Sequence, residues 1–91
     1  MPFNQSAFRT LQERRGFTTV DEPNVELACT IRKQFSRDIR EQTGETISRL
    51  SFESWELAEQ PRPPTTRQLD ILYKYAAKTG NGDLNFYTSP D

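Results

Sequence analysis

Apolar residues recur along this chain at helical spacing, and clusters of glycine, proline and asparagine separate the recurring segments. Nowhere do four or more residues alternate between apolar and polar types as they do in a half-buried strand. The pattern therefore predicts an all-α fold of about five short helices. Their predicted ranges are 4–15, 21–34, 36–43, 48–60 and 66–78.

Capping residues support these boundaries. Gly16 and Gly44 stand where a helix ends in the left-handed conformation that glycine readily adopts. Ser36 and Ser48 are placed to accept a hydrogen bond from the first turn of the third and fourth helices. A proline-rich segment, residues 61–64, then ends the fourth helix, because proline cannot continue one.

The apolar positions predict which side chains enter the core. The predicted core residues are Phe8, Leu11, Leu27, Ala28, Ile31, Phe35, Ile39, Phe52, Trp55, Leu69, Leu72, Tyr73 and Ala76. Leu84, Phe86 and Tyr87 lie beyond the glycine-rich stop at residues 80–82, and we expect this apolar tail to dock on the helices. At 91 residues the chain has room for one small core.

Composition removes several classes of function. The chain has one cysteine and no histidine, which excludes a disulfide within one chain, a cysteine and histidine zinc site and a histidine general base. It has neither a phosphate-binding glycine loop nor a nucleophile elbow, so we expect no enzyme, cofactor or metal. No apolar run approaches the roughly 18 residues of a membrane span. The first residues also lack the features of a signal peptide, so we expect a cytoplasmic protein without a membrane partner.

The third and fourth helices, with the glycine-containing turn between them, have the sequence form of a helix-turn-helix. The run I-S-R-L-S-F-E-S-W-E, residues 47–56, followed by proline and a further amphipathic helix, resembles the second half of XRE/Cro-type phage-repressor domains. That family reads V-S-x-x-(T)-(V/I)-x-x-W-E-x-G at this point. The resemblance extends from Ile47 to about Tyr75.

This resemblance implies a λ-repressor/Cro-like fold with an N-terminal helical extension. Ser48 would cap the recognition helix, while Phe52 and Trp55 would anchor that helix in the core. The implied parts of the chain are an N-terminal helical extension, a helix-turn-helix domain and a C-terminal tail, at residues 1–20, 21–80 and 81–91.

The implied function is sequence-specific binding of double-stranded DNA by a phage or plasmid transcriptional regulator, a repressor that acts as a homodimer on a short palindromic operator. The implied DNA-contacting residues are Ser36, Arg37, Ser48, Arg49, Leu50, Ser51, Glu53, Ser54, Arg62 and Arg67. On the fourth helix, Arg49 suits guanine O6 and N7, Glu53 suits cytosine N4, and Leu50 suits a thymine methyl group.

Two registers of the motif are open. In the first, residues 48–60 form the recognition helix, and Arg40 stands where the family has a small residue. In the second, residues 27–28 and 35–39 follow the family's order of residues, which makes 36–43 the recognition helix. The Trp-Glu-Pro arrangement favours the first register, because the second leaves it unexplained.

Charge favours a different class of function. Residues 36–64 carry four arginines and six acidic residues, and this net negative charge opposes contact with phosphates. DNA binding therefore requires the arginines to face the duplex while Glu56 and Glu59 face away from it. The alternative is a small acidic helical protein that retains the helix-turn-helix core and binds or inhibits another protein.

Overall fold

The computed structural model describes residues 3–19, 22–57 and 64–86. These residues form four α-helices, and no β-strand occurs among them. The helices are α1 (Gln5–Arg15), α2 (Val25–Thr43), α3 (Arg49–Leu57) and α4 (Thr66–Lys78). The predicted all-α class is confirmed. The described part of the chain has four helices where five were predicted, because the second and third predicted segments form one helix.

That helix, α2, continues for 19 residues through the predicted break at Ser36. Its buried side chains form one stripe at helical spacing on both sides of the break: Ala28, Arg32, Phe35, Ile39 and Thr43. The predicted N-cap at Ser36 is wrong, and its hydroxyl instead donates to the Ile47 carbonyl at 2.6 Å. The start of α2 also differs from the prediction, since Asn24 caps it by accepting from the backbone N–H groups of Glu26 and Leu27.

Three other predicted caps are confirmed. Gly16 ends α1 with a φ of 78°, and Gly44 ends α2 with a φ of 75°. The Ser48 hydroxyl accepts from the backbone N–H of Leu50 at 3.2 Å, in the first turn of α3. The predicted proline stop after α3 lies outside the described residues, except for Pro64.

A cluster of aromatic rings forms the centre of the core. Phe35 and Phe52 stack with their ring centroids 4.8 Å apart, and Phe8 contacts each of them at 5.9 Å. Trp55 meets Phe8 edge-on at 5.3 Å and Phe3 at 5.4 Å. Rings from α1, α2 and α3 therefore share one core.

Most of the predicted core is confirmed. Among the predicted residues, those buried are Phe8, Leu11, Ala28, Phe35, Ile39, Phe52, Trp55, Leu69, Leu72 and Ala76. The prediction for Leu27 is wrong: this side chain is 45% exposed, because it lies off the stripe that α2 buries. Ile31 and Tyr73 are half-buried. α4 also buries Ile71 and Tyr75, which the sequence pattern did not predict.

The apolar tail docks on the helices, as predicted. Phe86 is fully buried, and its ring meets Tyr73 edge-on at 5.1 Å. The Phe86 carbonyl accepts from the backbone N–H of Asn4 at 2.8 Å, and Leu84 packs against the core. Tyr87 lies outside the described residues. The two ends of the described chain therefore meet at this point.

α2 and α4 pack side by side and run in opposite directions. Tyr75 contacts Phe35 through its ring and donates its hydroxyl to Asp38, both in the middle of α2. Near the start of α4, Arg67 pairs with Glu45, just beyond the end of α2. Burial and the hydrogen bond to Asp38 raise the pKa of the Tyr75 phenol, which keeps it a donor at neutral pH. The start of α4 therefore lies beside the turn that connects α2 to α3.

Candidate nucleic-acid interface

Residues 44–48 connect α2 to α3, and side chains of α2 hold both ends of this turn. The Thr43 hydroxyl accepts from the backbone N–H of Glu45 at 3.1 Å. Further along the turn, the Ile47 carbonyl accepts from the Ser36 hydroxyl at 2.6 Å. These bonds fix the turn against the C-terminal half of α2, and so they fix where α3 begins.

α3 has a buried face and an exposed face. Phe52 and Trp55 are buried, whereas Leu50 is 62% exposed. The other predicted contact residues of α3 are all partly exposed: Arg49, Ser51, Glu53 and Ser54. Ser51 is also tied to α4, because its hydroxyl accepts from the Gln68 side-chain amide at 3.1 Å. All five predicted side chains of α3 therefore keep some exposure to solvent, and Leu50 is the most exposed of them.

The middle and C-terminal part of α2 carries three exposed cations, Lys33, Arg37 and Arg40, which we call the basic stripe. Their spacing of i, i+4 and i+7 places them on one face of the helix. None of them forms an ion pair with a residue that the structure describes. Sequence analysis identified only Arg37 as a contact residue, because the predicted break at Ser36 separated Lys33 from the other two and Arg40 was aligned with a small residue of the family's motif.

Arg40, the last cation of the basic stripe, lies on the flank of α2 that contacts the end of the turn before α3. Arg40 follows Ser36 by one helical turn, so it leaves α2 on the side where Ser36 contacts Ile47. Arg49 is two residues beyond Ile47 and likewise forms no ion pair within the described ranges. Arg40 and Arg49 therefore both lie close to the α2–α3 turn, one on the flank of α2 that contacts the turn and the other at the first position of α3.

The remaining predicted residues differ in their surroundings. Ser36 is half-buried in the middle of α2, so the second register, which requires a helix that begins there, has no such helix. Ser48 is exposed at the start of α3. The Arg67 side chain is 80% exposed and pairs with Glu45 at 3.4 Å. Arg62 lies outside the described residues.

Ion pairs offset part of the negative charge of residues 36–64. Three of the six acidic residues in this segment bind cations that come from outside it, in the pairs Asp38 with Arg15, Glu45 with Arg67 and Glu56 with Arg32. None of these pairs uses Arg37, Arg40 or Arg49. Within the described ranges, the acidic residues of the segment therefore leave Arg37, Arg40 and Arg49 without an ion pair.

Glu56 is a buried acid whose structural role sequence analysis missed. Its side chain is fully buried, and its carboxylate accepts from Arg32 Nε at 2.6 Å, from Gln12 Nε2 at 2.6 Å and from the Thr19 hydroxyl. These partners are 24 to 44 residues away along the chain, so no local pattern predicts them. Glu56 joins the end of α3 to α1, to α2 and to the segment between them.

The described ranges contain neither a group of side chains suited to a metal ion nor a helix suited to crossing a membrane. There, no three histidine, cysteine, aspartate or glutamate side chains are grouped so that they could hold a metal ion. The helices of these ranges also lack the combination of length and apolar composition that crossing a membrane requires.

Comparison with protein-family models, with curated proteins and with solved structures finds no significant match to this chain.

Proposed function

We propose that this chain is a sequence-specific DNA-binding transcriptional regulator, a repressor that acts as a homodimer on a short palindromic operator. In this proposal α2, the turn and α3 form a λ-repressor/Cro-like helix-turn-helix, and α3 enters the major groove. The supporting observation is that Arg37, Arg40 and Arg49, which lie on α2 and at the start of α3, form no ion pair with any residue that the structure describes.

Free cations matter because phosphate contacts supply much of the affinity of a protein for DNA. The acids Asp38 and Glu56 do not compete for the basic stripe, since each is bound to an arginine from elsewhere. The stripe extends along about 10 Å of α2, given a rise of about 1.5 Å per residue. A row of cations of this length suits contact with the DNA phosphates that border the major groove, while α3 occupies that groove.

Residues of α3 would then read the bases. Arg49 stands at the first position of the helix, from which an N-terminal side chain reaches base edges in this class of motif. Its guanidinium suits guanine O6 and N7, and the exposed Leu50 suits a thymine methyl group. Glu53, half-exposed one turn further on, suits the cytosine amino group.

Two arginine substitutions should have different effects on DNA binding. Arg49→Ala should lose about 1–3 kcal/mol of discrimination at one base pair. Arg37→Ala should weaken binding to all sequences alike. It should also reduce the slope of log affinity against log salt concentration by about one, which corresponds to the loss of one phosphate contact. An operator sequence would first be selected from random duplexes. Titrations against a panel of its single-base variants, at two salt concentrations, would then measure both effects.

Lys78→Ala provides the matched control for these variants. Lys78 is an exposed cation in the last turn of α4, about 16 Å further along that helix than Arg67 and the α2–α3 turn. This substitution should leave unchanged both the preference for each base pair of the operator and the dependence of affinity on salt concentration. If Arg49→Ala and Arg37→Ala behave like Lys78→Ala, the proposed surface does not contact DNA.

The exposure of Leu50 favours a second candidate function. A leucine that is 62% exposed on a surface helix also suits a hydrophobic contact with another protein. The two functions separate in a shift assay on genomic fragments. Failure of the parent protein to shift any sequence selectively, at low and at physiological salt, would favour the helical interaction or inhibitor protein.

Assembly gives a further test. A palindromic operator requires two recognition helices roughly 34 Å apart, so we expect sedimentation equilibrium to give twice the 10.6 kDa chain mass. The aromatic residues near the chain ends, Phe3, Phe8 and Phe86, are buried within one chain and therefore are not free to form the dimer interface. A monomer that binds one operator half-site would contradict the homodimer and leave the DNA contacts in place.

A further inference from the structure

α1 directs three polar side chains at the end of α3. Gln5, Arg9 and Gln12 are spaced i, i+4 and i+7, so they lie on one face of α1. Gln5 Nε2 donates to the carbonyls of Trp55 and Glu56, at 3.1 Å for the latter. Arg9 Nη2 donates to the same Glu56 carbonyl at 3.2 Å, and Gln12 Nε2 donates to the Glu56 carboxylate at 2.6 Å.

These bonds satisfy groups that α3 cannot satisfy by itself. The last four carbonyls of an α-helix have no partner within the helix, and its C-terminal end carries partial negative charge. Trp55 and Glu56 are among the last three residues of α3. The amide of Gln5 and the cation of Arg9 therefore act as a cap supplied by another helix.

The length of α3 makes this cap important. α3 has nine residues, and an isolated helix shorter than about 12 residues is not stable in water. Its direction therefore depends on tertiary contacts, which are the buried rings of Phe52 and Trp55 and the hydrogen bonds at its two ends. Because α3 is about 13 Å long, a tilt of about 10° at its C-terminal end would move its N-terminal end by about 2 Å.

We infer that α1 sets the orientation of α3, and that Gln5 and Arg9 are positioning residues for the surface that carries Arg49 and Leu50. This inference rests on the proposed function only for what that surface binds. The hydrogen bonds themselves join side chains of α1 to carbonyls of α3, so their effect on α3 can be tested without a ligand.

Native-state hydrogen exchange measures how well these hydrogen bonds protect the end of α3. In Gln5→Ala and in Arg9→Ala, the amide protons of residues 53–56 should exchange about tenfold faster than in the parent, as expected for loss of the capping hydrogen bonds. Arg9→Lys, which keeps a cation at the helix end, should restore part of the protection. The amide protons of α2 should exchange at parental rates in all three variants.

Gln34→Ala is the matched control, because Gln34 is exposed on α2. It should leave the exchange of α3 unchanged. Parental exchange of residues 53–56 in both Gln5→Ala and Arg9→Ala would overturn the inference. Equal acceleration in all four helices would also overturn it, since α1 would then support the whole fold and not the position of α3.

DNA binding separates this inference from the proposed function. Gln5→Ala removes no charge, so it should weaken operator affinity about three- to tenfold at an unchanged salt slope. If the parent binds no DNA but Gln5→Ala still accelerates exchange in α3, the proposed function fails and the positioning role stands. If the parent binds DNA and Gln5→Ala changes neither measurement, the positioning role alone fails.

Discussion

Replacing Trp55 with alanine is expected to lower the free energy of unfolding by about 3–5 kcal/mol. The Trp55 ring is 2% exposed and contacts the rings of Phe3, Phe8 and Phe52. Alanine would remove this apolar area from the core and leave a cavity that the neighbouring rings fill only in part. Since small domains have a total stability of about 5–15 kcal/mol, the loss would be a large fraction of it.

Urea denaturation followed by far-ultraviolet circular dichroism would measure this loss. The matched control is Leu50→Ala, a second apolar truncation on α3, whose side chain is 62% exposed. It should change stability by no more than about 0.5 kcal/mol. Equal midpoints for the parent and Trp55→Ala would mean that the indole does not lie in the core.

Glu56→Gln is expected to have a similar effect, about 3–5 kcal/mol, by a different mechanism. The substitution removes a charge that is fully buried and leaves the Arg32 guanidinium, with its side chain 8% exposed, without an anionic partner. An uncompensated buried charge is far more destabilising than the loss of an exposed ion pair. Gln12 and Thr19 would also lose part of the acceptor that they now share.

A double-mutant cycle separates this effect from general disruption of the core. Arg32→Met alone should be destabilising, and Arg32→Met combined with Glu56→Gln should cost less than the sum of the two single substitutions. Glu45→Gln, which breaks the exposed pair with Arg67, should change stability by only about 0–1 kcal/mol. If Glu56→Gln is as mild as Glu45→Gln, the buried pair does not hold the end of α3.

Local signals predicted the helix ends well. The α4 range Thr66–Lys78 agrees with the prediction, and Gly16, Gly44 and Ser48 cap the helices where expected. Each of these signals acts within one turn, through a single hydrogen bond or a single backbone conformation. Such interactions are therefore visible in a short stretch of sequence.

The predicted break at Ser36 shows where local signals mislead. A serine before a short amphipathic segment is typical of an N-cap, but here its hydroxyl bonds to Ile47, on the far side of the α2–α3 turn. The stripe that runs through the break includes Arg32, which a hydrophobic pattern counts as exposed. The partner that buries Arg32 is Glu56, which lies 24 residues away.

The candidate site could be predicted only in part. Arg37 and Arg49 were identified from their positions after serine residues, and their contact with DNA remains a prediction. Lys33 joined the set only when α2 proved continuous, and Arg40 had been aligned with a small residue of the family's motif. The role of Gln5 and Arg9 at the end of α3 had no sequence signal, because their partners are backbone carbonyls about 50 residues away.

The all-α class, most helix ends and the aromatic residues of the core follow from short stretches of sequence, because helical periodicity and capping depend on residues within about four positions of one another. Which charges are free depends on the three-dimensional fold. Arg32 and Arg15 are bound by acids more than 20 residues distant, whereas Arg37, Arg40 and Arg49 have no such partner within the described ranges. Net charge along the chain cannot distinguish these cases, since an ion pair depends on distance in space and on burial.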